Sequence, residues 1–433
     1  METNRRQALR TIGAAALSTQ TSRILGANDR VNIAVIGIGG RGTAHLNEYS
    51  KLECHIAAIC DVNQAAQERA VALVERNKGH KPEVFTDMRK LFESRNVDAV
   101  SIATPNHWHA LAAIWAMQAG KDVYVEKPCC YNPFEGKQMI AAARKYNRIV
   151  QAGTQSRSMP HMREAMELLR GGIIGKVYMA KGLCYKRRPS IGHKPDQPTP
   201  PGIDWDLFLG PAPLRPFNEL RFKYNWHWFW DTGNGDIGNQ GVHEMDIALW
   251  GLGVTSLPGH AVSTGGKFLY HDDQETPNTQ IATYDFGDAQ MVFEVRGIPG
   301  PDEGPLRRHG FNVVGDIFYG SDGYMATDSS GYWVYKGEKG VLDRQGKAEK
   351  SDTAPHMENF LAAVRSRKRE DLHAEVAVNV LASDCCHLAN ISYRVGRRLQ
   401  WDGQREQFVG DAEADALLTR HPYRAPYIVP EKV

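Results

Sequence analysis

The stretch VNIAVIGIGGRG, residues 31–42, restricts the fold of this chain more than any other. An apolar run leads straight into Gly37, Gly39 and Gly42, spaced G-x-G-x-x-G. Only glycines let a strand-to-helix turn close this tightly and bring backbone up to a ligand. Gly40 and Arg41 complete the turn. Its N–H groups, at the start of a helix, suit a pyrophosphate. A glycine-rich turn with no ligand shares this spacing, so the context decides. The context here is a strand before, a helix after, and Asp61 at the end of the next apolar run. That carboxylate is placed to accept from a ribose 2′-OH and to repel a 2′-phosphate, which favours NAD over NADP.

From Val31 to about Thr154 the chain alternates strand-like runs (VNIAVIG, CHIAAICD, VDAVSIATP, KDVYVEKP, RIVQAGT) with helical segments over 63–78, 107–119 and 133–146. Ala110, Ile114 and Met117 keep helical spacing in the second of these. Such alternation predicts a parallel sheet covered on both faces. After about Ser158 the texture changes. A proline-rich excursion, KPDQPTPPGIDWDLFLGPAPLRP, reads as an ordered loop because it carries Trp205, Leu207 and Phe208. Alternating segments with Gly and Asp turns follow, then helices over 356–365 and 374–395, so this part predicts an antiparallel sheet with helices. The expected fold is α/β: a Rossmann dinucleotide-binding domain over 31–157, an α+β substrate domain with an open, largely antiparallel sheet over 158–400, and an extension over 401–433.

Arg5 and Arg6 precede a short, weakly apolar stretch, Ile12–Leu17. This predicts a twin-arginine export signal over 1–27 and a periplasmic or otherwise extracytoplasmic location; a basic N-terminal helix is the alternative. Lys and Arg total 52 against 50 Asp and Glu, which argues against nucleic acid or an anionic membrane as partner. Seven cysteines without CxxC spacing are expected to be buried free thiols. No metal is expected.

Chemistry concentrates at strand ends. The third long run ends at Thr104, followed by Asn106, His107, Trp108 and His109, which either line a cofactor cleft or cap the next helix. The fourth ends in Glu126, Lys127 and Pro128, where a lysine of depressed pKa can shuttle a hydroxyl proton. Farther on, GDIGNQGVHEMD sets Asn239 four residues before His243, on one helical face, with Asp236 about two turns from the histidine. Tyr185, Lys186, Arg187, Arg188 and His227 fall in segments rich in aromatic and hydroxyl-binding groups that suit sugars. A core aromatic cluster with surface arginines is the alternative.

In the order GxGxxG, EKP, GVHEMD the sequence resembles the Gfo/Idh/MocA family, relatives of glucose–fructose oxidoreductase and inositol dehydrogenases, over nearly all of the chain beyond the signal. The resemblance implies an active site in the cleft between a Rossmann domain and an open mixed sheet. It also implies Lys127 beside the nicotinamide, a cis Lys127–Pro128 bond, His243 as proton acceptor, and pairing of subunits into a dimer or tetramer. The family usually has D-x-x-x-H where this chain has Asn239 and His243, and an amide cannot supply the aspartate's charge. Three functions are therefore expected in order. The first is an NAD(H)-dependent sugar oxidoreductase transferring hydride, with tightly held, internally recycled cofactor. The second is an NAD-dependent glycosidase or lyase that oxidises its sugar transiently, and the third a sugar-binding protein with structural NAD.

Overall fold

The computed structural model describes residues 30–348, 353–420 and 422–433, so the segment expected to be an export signal lies outside the described residues. The first domain runs β1 (Val31–Ile36), α1 (Gly40–Lys51), β2 (Cys54–Cys60), α2 (Gln64–Lys78), β3 (Glu83–Phe85), α3 (Met88–Phe92), β4 (Ala99–Ile102), α4 (Asn106–Gln118), β5 (Asp122–Val125), α5 (Pro133–Lys145) and β6 (Val150–Ala152). Its six strands are all parallel in the order β3-β2-β1-β4-β5-β6. β4 and β5 are buried along their whole length, as strands covered on both faces must be. Helix α4 is buried almost all round, so its apolar periodicity in sequence is faint. The strand order reverses between β1 and β4, and there the carboxyl ends open a crevice.

The second domain contains α6 (Pro160–Arg170), β7 (Val177–Tyr185), α7 (Trp205–Leu209), α8 (Gly235–Asn239), α9 (Gly241–Leu252), β8 (His260–Gly266), β9 (Thr279–Asp285), β10 (Gln290–Arg296), β11 (Val313–Gly320), β12 (Gly323–Asp328), β13 (Gly331–Lys336), β14 (Val341–Lys347), α10 (Ala354–Ser366), α11 (Val376–Val395), β15 (Leu399–Asp402) and β16 (Gln407–Phe408). The ten strands form one sheet, β14-β13-β12-β11-β7-β10-β9-β8-β15-β16. Its neighbours are antiparallel except β7 and β10, which run parallel. After β7 the chain leaves for the long excursion and two helices before it re-enters the sheet, and a crossover of that length permits parallel pairing. One sheet face buries Met291, Phe293 and Phe318 against Met245, Leu249, Cys385 and Leu388 of α9 and α11. The other face carries a smaller cluster of Leu183, Tyr185, Val313, Ile317 and Ala326. All seven cysteines are buried and free. No helix among the described residues is long and apolar enough to cross a membrane.

Two segments tie the domains together. Met357, Phe360, Leu361 and Val364 of α10 pack into the core around Ile33, Tyr49 and Tyr124 of the first domain. The excursion, residues 186–234, folds back as a strap over the crevice. Its Ile203 bridges Asn63, the N–H of Gln64 donates to Gly202 O at 2.8 Å, and the N–H of Asp204 donates to Val62 O at 2.9 Å. Trp205 and Phe208 stack at 4.8 Å, with Leu209, Phe217 and Phe222 packed around them, which gives the proline-rich stretch an apolar core of its own. The C-terminal extension then holds the strap. Arg424 donates to the carbonyls of Gly210 and Asp206 at 2.9 and 2.8 Å, while Tyr427 bonds the Asp206 carboxylate and joins the first domain's core.

Candidate active site

One cleft of about 910 Å³ runs from the β1–α1 turn to the α8–α9 junction. It is lined by Gly37, Gly39, Gly40, Arg41, Asp61, Thr104, Asn106, His109, Glu126, Lys127, Arg188, His227, Asn239 and His243, so residues far apart in sequence meet here. Gly42 lies under the turn: a Cβ there would fall 1.8 Å from Gly37 O, and Gly37 itself has φ +82° with its Cβ position 2.8 Å from the Ala103 backbone. The turn therefore requires both glycines.

The cleft fits a dinucleotide by its own groups. Helix α1 starts at Gly39 and Gly40 with no side-chain cap, which leaves N–H groups and a positive helix end for a pyrophosphate. Asp61 accepts the N–H groups of Ile38 and Asn63 at 2.5 and 2.8 Å, and its remaining lone pairs are available to ribose hydroxyls. Burial raises its pKa, and those two N–H groups act against the rise. Thr104 Oγ1, Asn106 Oδ1 and Arg41 Nη2 are buried polar atoms with no protein partner, at the strand-order reversal where a ligand would satisfy them.

Glu126 and Lys127 share the end of β5 but face different neighbours. Burial works to raise the pKa of Glu126, yet Arg41 Nε at 2.6 Å and His45 Nε2 at 2.8 Å hold its carboxyl well below the usual range. The Lys127–Pro128 bond is cis. Lys127 Nζ donates to Asn239 O at 2.8 Å and to Asn239 Oδ1 at 3.4 Å. Burial lowers its pKa to about 8, so near neutral pH it can both give and take a proton.

Asn239 is oriented toward Lys127 rather than toward His243. Its Nδ2 donates to Tyr224 Oη at 3.0 Å and to Asp236 Oδ1 at 3.5 Å. Among the described residues the His243 ring has no hydrogen-bond partner, and burial together with the Lys127 charge holds its pKa well below the ordinary value. A neutral, unpaired imidazole thus faces the cleft beside Lys127. Asp236 does not line the cleft or serve His243. It stands behind Arg188, which it grips twice, Nη2–Oδ1 at 2.7 Å and Nε–Oδ2 at 2.9 Å.

Three further expected residues lie elsewhere. His107 is turned into the domain junction, where its ring nitrogens meet Phe208 O at 2.9 Å and Thr232 O at 3.3 Å, and burial lowers its pKa to about 3. Tyr185 points to the opposite face of the sheet, since β7 alternates sides, and its hydroxyl donates to Glu294 at 2.6 Å. Arg187, two residues beyond Tyr185 on the alternating path, lies over the Phe311 ring at 5.6 Å. His109 does line the cleft, but its nitrogens lie 2.6 Å from Pro128 O and 2.7 Å from Thr104 O, which makes it a brace for the two strand ends. His227 stacks on Trp226 at 3.5 Å and meets Tyr224 O at 2.6 Å.

Tyr224 and Gln240 also line the cleft; both fall in stretches the sequence marks, but neither stands out there as a candidate residue. Tyr224 Oη accepts from Asn239 and from Arg188 Nη1, each at 3.0 Å. With both acceptor sites filled, its own proton is free to donate into the cleft. His227, Asp236, Glu244 and His243 do not converge on a common point. The one group of potential metal ligands among the described residues is Cys130, Asp384 and His387, outside the cleft lining.

Comparison with known proteins agrees with this layout. Residues 31–154 match the profile described as "Oxidoreductase family, NAD-binding Rossmann fold", and residues 173–287 with 326–429 match its C-terminal alpha/beta domain. An alpha-N-acetylgalactosaminidase of Shewanella oneidensis is 38% identical over 120 residues, 27% of this chain and 26% of that protein. A glycosyl hydrolase family 109 protein of Shewanella sp. strain W3-18-1 is 36% identical over 122 residues, 27% of each chain. The match thus spans about a quarter of these curated relatives. Among solved structures, levoglucosan dehydrogenase in complex with NADH and levoglucosan superposes with a TM-score of 0.65 at 18% identity, over 86% of this chain and 99% of that one. The WlbA dehydrogenase of Bordetella pertussis, in complex with NADH and UDP-GlcNAcA, gives 0.62 at 18% over the same shares. At such identities the likeness is one of fold.

Proposed function

Because this chain belongs to the Gfo/Idh/MocA oxidoreductase family, with an NAD-binding Rossmann domain, we propose that it oxidises or reduces a hydroxyl-bearing carbon of a sugar or sugar derivative. The carrying observation is Lys127, titrating near 8 at the point where the cofactor turn and the second domain meet. The nicotinamide, when bound, supplies two-electron redox chemistry. The turn at Gly37–Gly42 and Asp61 would hold its dinucleotide. Lys127 takes the proton of the substrate hydroxyl in the oxidising direction and returns it in the other. Tyr224 donates a hydrogen bond to a neighbouring oxygen, His243 accepts one, and Arg188 is fixed by Asp236 to bond a further hydroxyl. Aromatic Trp226 and Phe222 offer faces for C–H surfaces. The decisive experiment supplies sugars and glycosides to purified protein and follows NADH absorbance with mass analysis of products; no turnover of any of them would sink the reading.

A second reading has its own support. The curated relatives that match the Rossmann region include a named alpha-N-acetylgalactosaminidase, and the strap closes over the crevice in a way that suits a retained cofactor used in both directions. In that case a glycoside is cleaved with no net NADH, and product analysis without an absorbance change identifies it. Arg5 and Arg6 support export by the twin-arginine route to the periplasm. The aromatic outer face of the second sheet, with Tyr324 and Tyr335 stacked at 4.8 Å, supports association of subunits there.

A further inference from the structure

The cleft holds more positive charge than its own acids neutralise. Its lining contains Arg41, Arg69, Lys127, Lys186, Arg188 and Lys223, and the carboxylates of Asp61 and Glu126. Arg41 is committed to Glu126 at 2.6 Å and Arg188 to Asp236 at 2.7 Å, while Arg69 acts on Asp61. Among the described residues, Lys127, Lys186 and Lys223 have no carboxylate partner. The dinucleotide does not account for all three, because the uncapped start of α1 already offers N–H groups to its pyrophosphate.

Lys186 stands at the substrate end. It follows β7 directly, and its Nζ donates to Gln240 Oε1 at 2.7 Å, one residue from Asn239. Gln240 is itself set by its Nε2, which donates to Glu244 Oε1 at 3.3 Å, so its carbonyl oxygen turns to the lysine. A neutral carboxamide orients the ammonium without neutralising it and leaves N–H bonds for a ligand. Glu244 does not neutralise it either, since burial raises its pKa to about 8. Lys223, on the strap, has φ +54°, a left-handed conformation costly for a lysine, and places a second ammonium at the cleft wall.

We propose that the sugar carries an oxyanion (a carboxylate, sulfate or phosphate group) and that Lys186 binds it, with Lys223 contributing from the strap. This rests on the sugar oxidoreductase reading above and narrows its substrate class.

Calorimetry on the protein as purified with its cofactor tests this, using matched neutral and anionic hexoses: glucose, glucuronate, glucose 6-sulfate and glucose 6-phosphate, and the same set built on galactose and on N-acetylglucosamine. An anionic member should bind about 10- to 100-fold tighter than its neutral parent, the range expected of a charge-assisted hydrogen bond, and the margin should shrink as salt rises. Which anion wins separates uronate from sulfate and phosphate. Lys186→Met should reduce the margin to within about threefold while Lys186→Arg keeps most of it. Bound NAD content and melting temperature verify that each variant is folded. Neutral parents binding as tightly as their anionic partners, or a margin that survives both Lys186→Met and Lys223→Met, overturns the proposal and leaves the oxidoreductase reading standing. Should no sugar of either kind bind, the reading itself falls, and this inference with it.

Discussion

At Asn239 one side chain meets neighbours of opposite demand. Lys127 needs an acceptor, while Tyr224 Oη and Asp236 need a donor, and only an amide offers both. An aspartate would serve the lysine but turn a second negative charge toward Asp236. This explains why the D-x-x-x-H pattern is altered without loss of the site. The first prediction concerns Lys127 itself: Lys127→Met should fold and lose on the order of 10²–10⁴-fold in turnover. The second is its pH dependence. Below about 8 the amine is protonated and cannot accept, so oxidation should rise between pH 7 and 9 and reduction should fall over the same range. Asn239→Asp adds a carboxylate beside the ammonium, which favours the charged form and must move that midpoint upward. A midpoint that stays put in the variant would show that Asn239 does not act on Lys127. The motif residues were legible in sequence, because EKP and N-x-x-x-H are local patterns. Which atom Asn239 bonds was not, because Lys127 approaches from another domain.

The strap is the element whose role the sequence conceals most. Its prolines and tryptophan indicated an ordered loop, yet its position depends on two-residue contacts with Val62–Gln64 and on the C-terminal extension, neither of which leaves a periodic trace. His107, expected in the cleft, bonds Phe208 O of this strap for the same reason. The β7–β10 parallel pairing was hidden too, since register between distant strands is set by the crossover rather than by either strand's pattern. A third prediction follows from the clasp. Replacing Arg424 and Tyr427 together by Ala removes the bonds to Asp206 and Gly210 and should speed NAD release by on the order of tenfold, because the strap must open for the dinucleotide to leave. Stopped-flow release of NADH, followed by its fluorescence, measures this. An unchanged off-rate would mean that the clasp is only structural.

For the whole molecule, the dinucleotide cleft is where both domains and the strap meet, with the extension holding the strap from behind. Fold class and cofactor could be read from the glycine turn, the strand alternation and Asp61, while the cleft as an enclosure could not. The fourth prediction tests specificity for NAD. Asp61→Ala removes the charge that opposes a 2′-phosphate and leaves Arg69 lining the same cleft, so the preference for NAD over NADP should shrink by on the order of tenfold or more. Isothermal titration with both cofactors decides it, and an unaltered ratio would place the ribose elsewhere. The core of the first domain is also completed from afar: Met357, Phe360, Val376, Tyr427 and Val429 all pack into it. During synthesis, then, the glycine turn leaves the ribosome long before the residues that finish its own hydrophobic core. The nascent domain cannot mature in the order in which it is made, and an isolated fragment spanning only β1 to β6 should emerge as a sticky, chaperone-dependent species that captures no nucleotide.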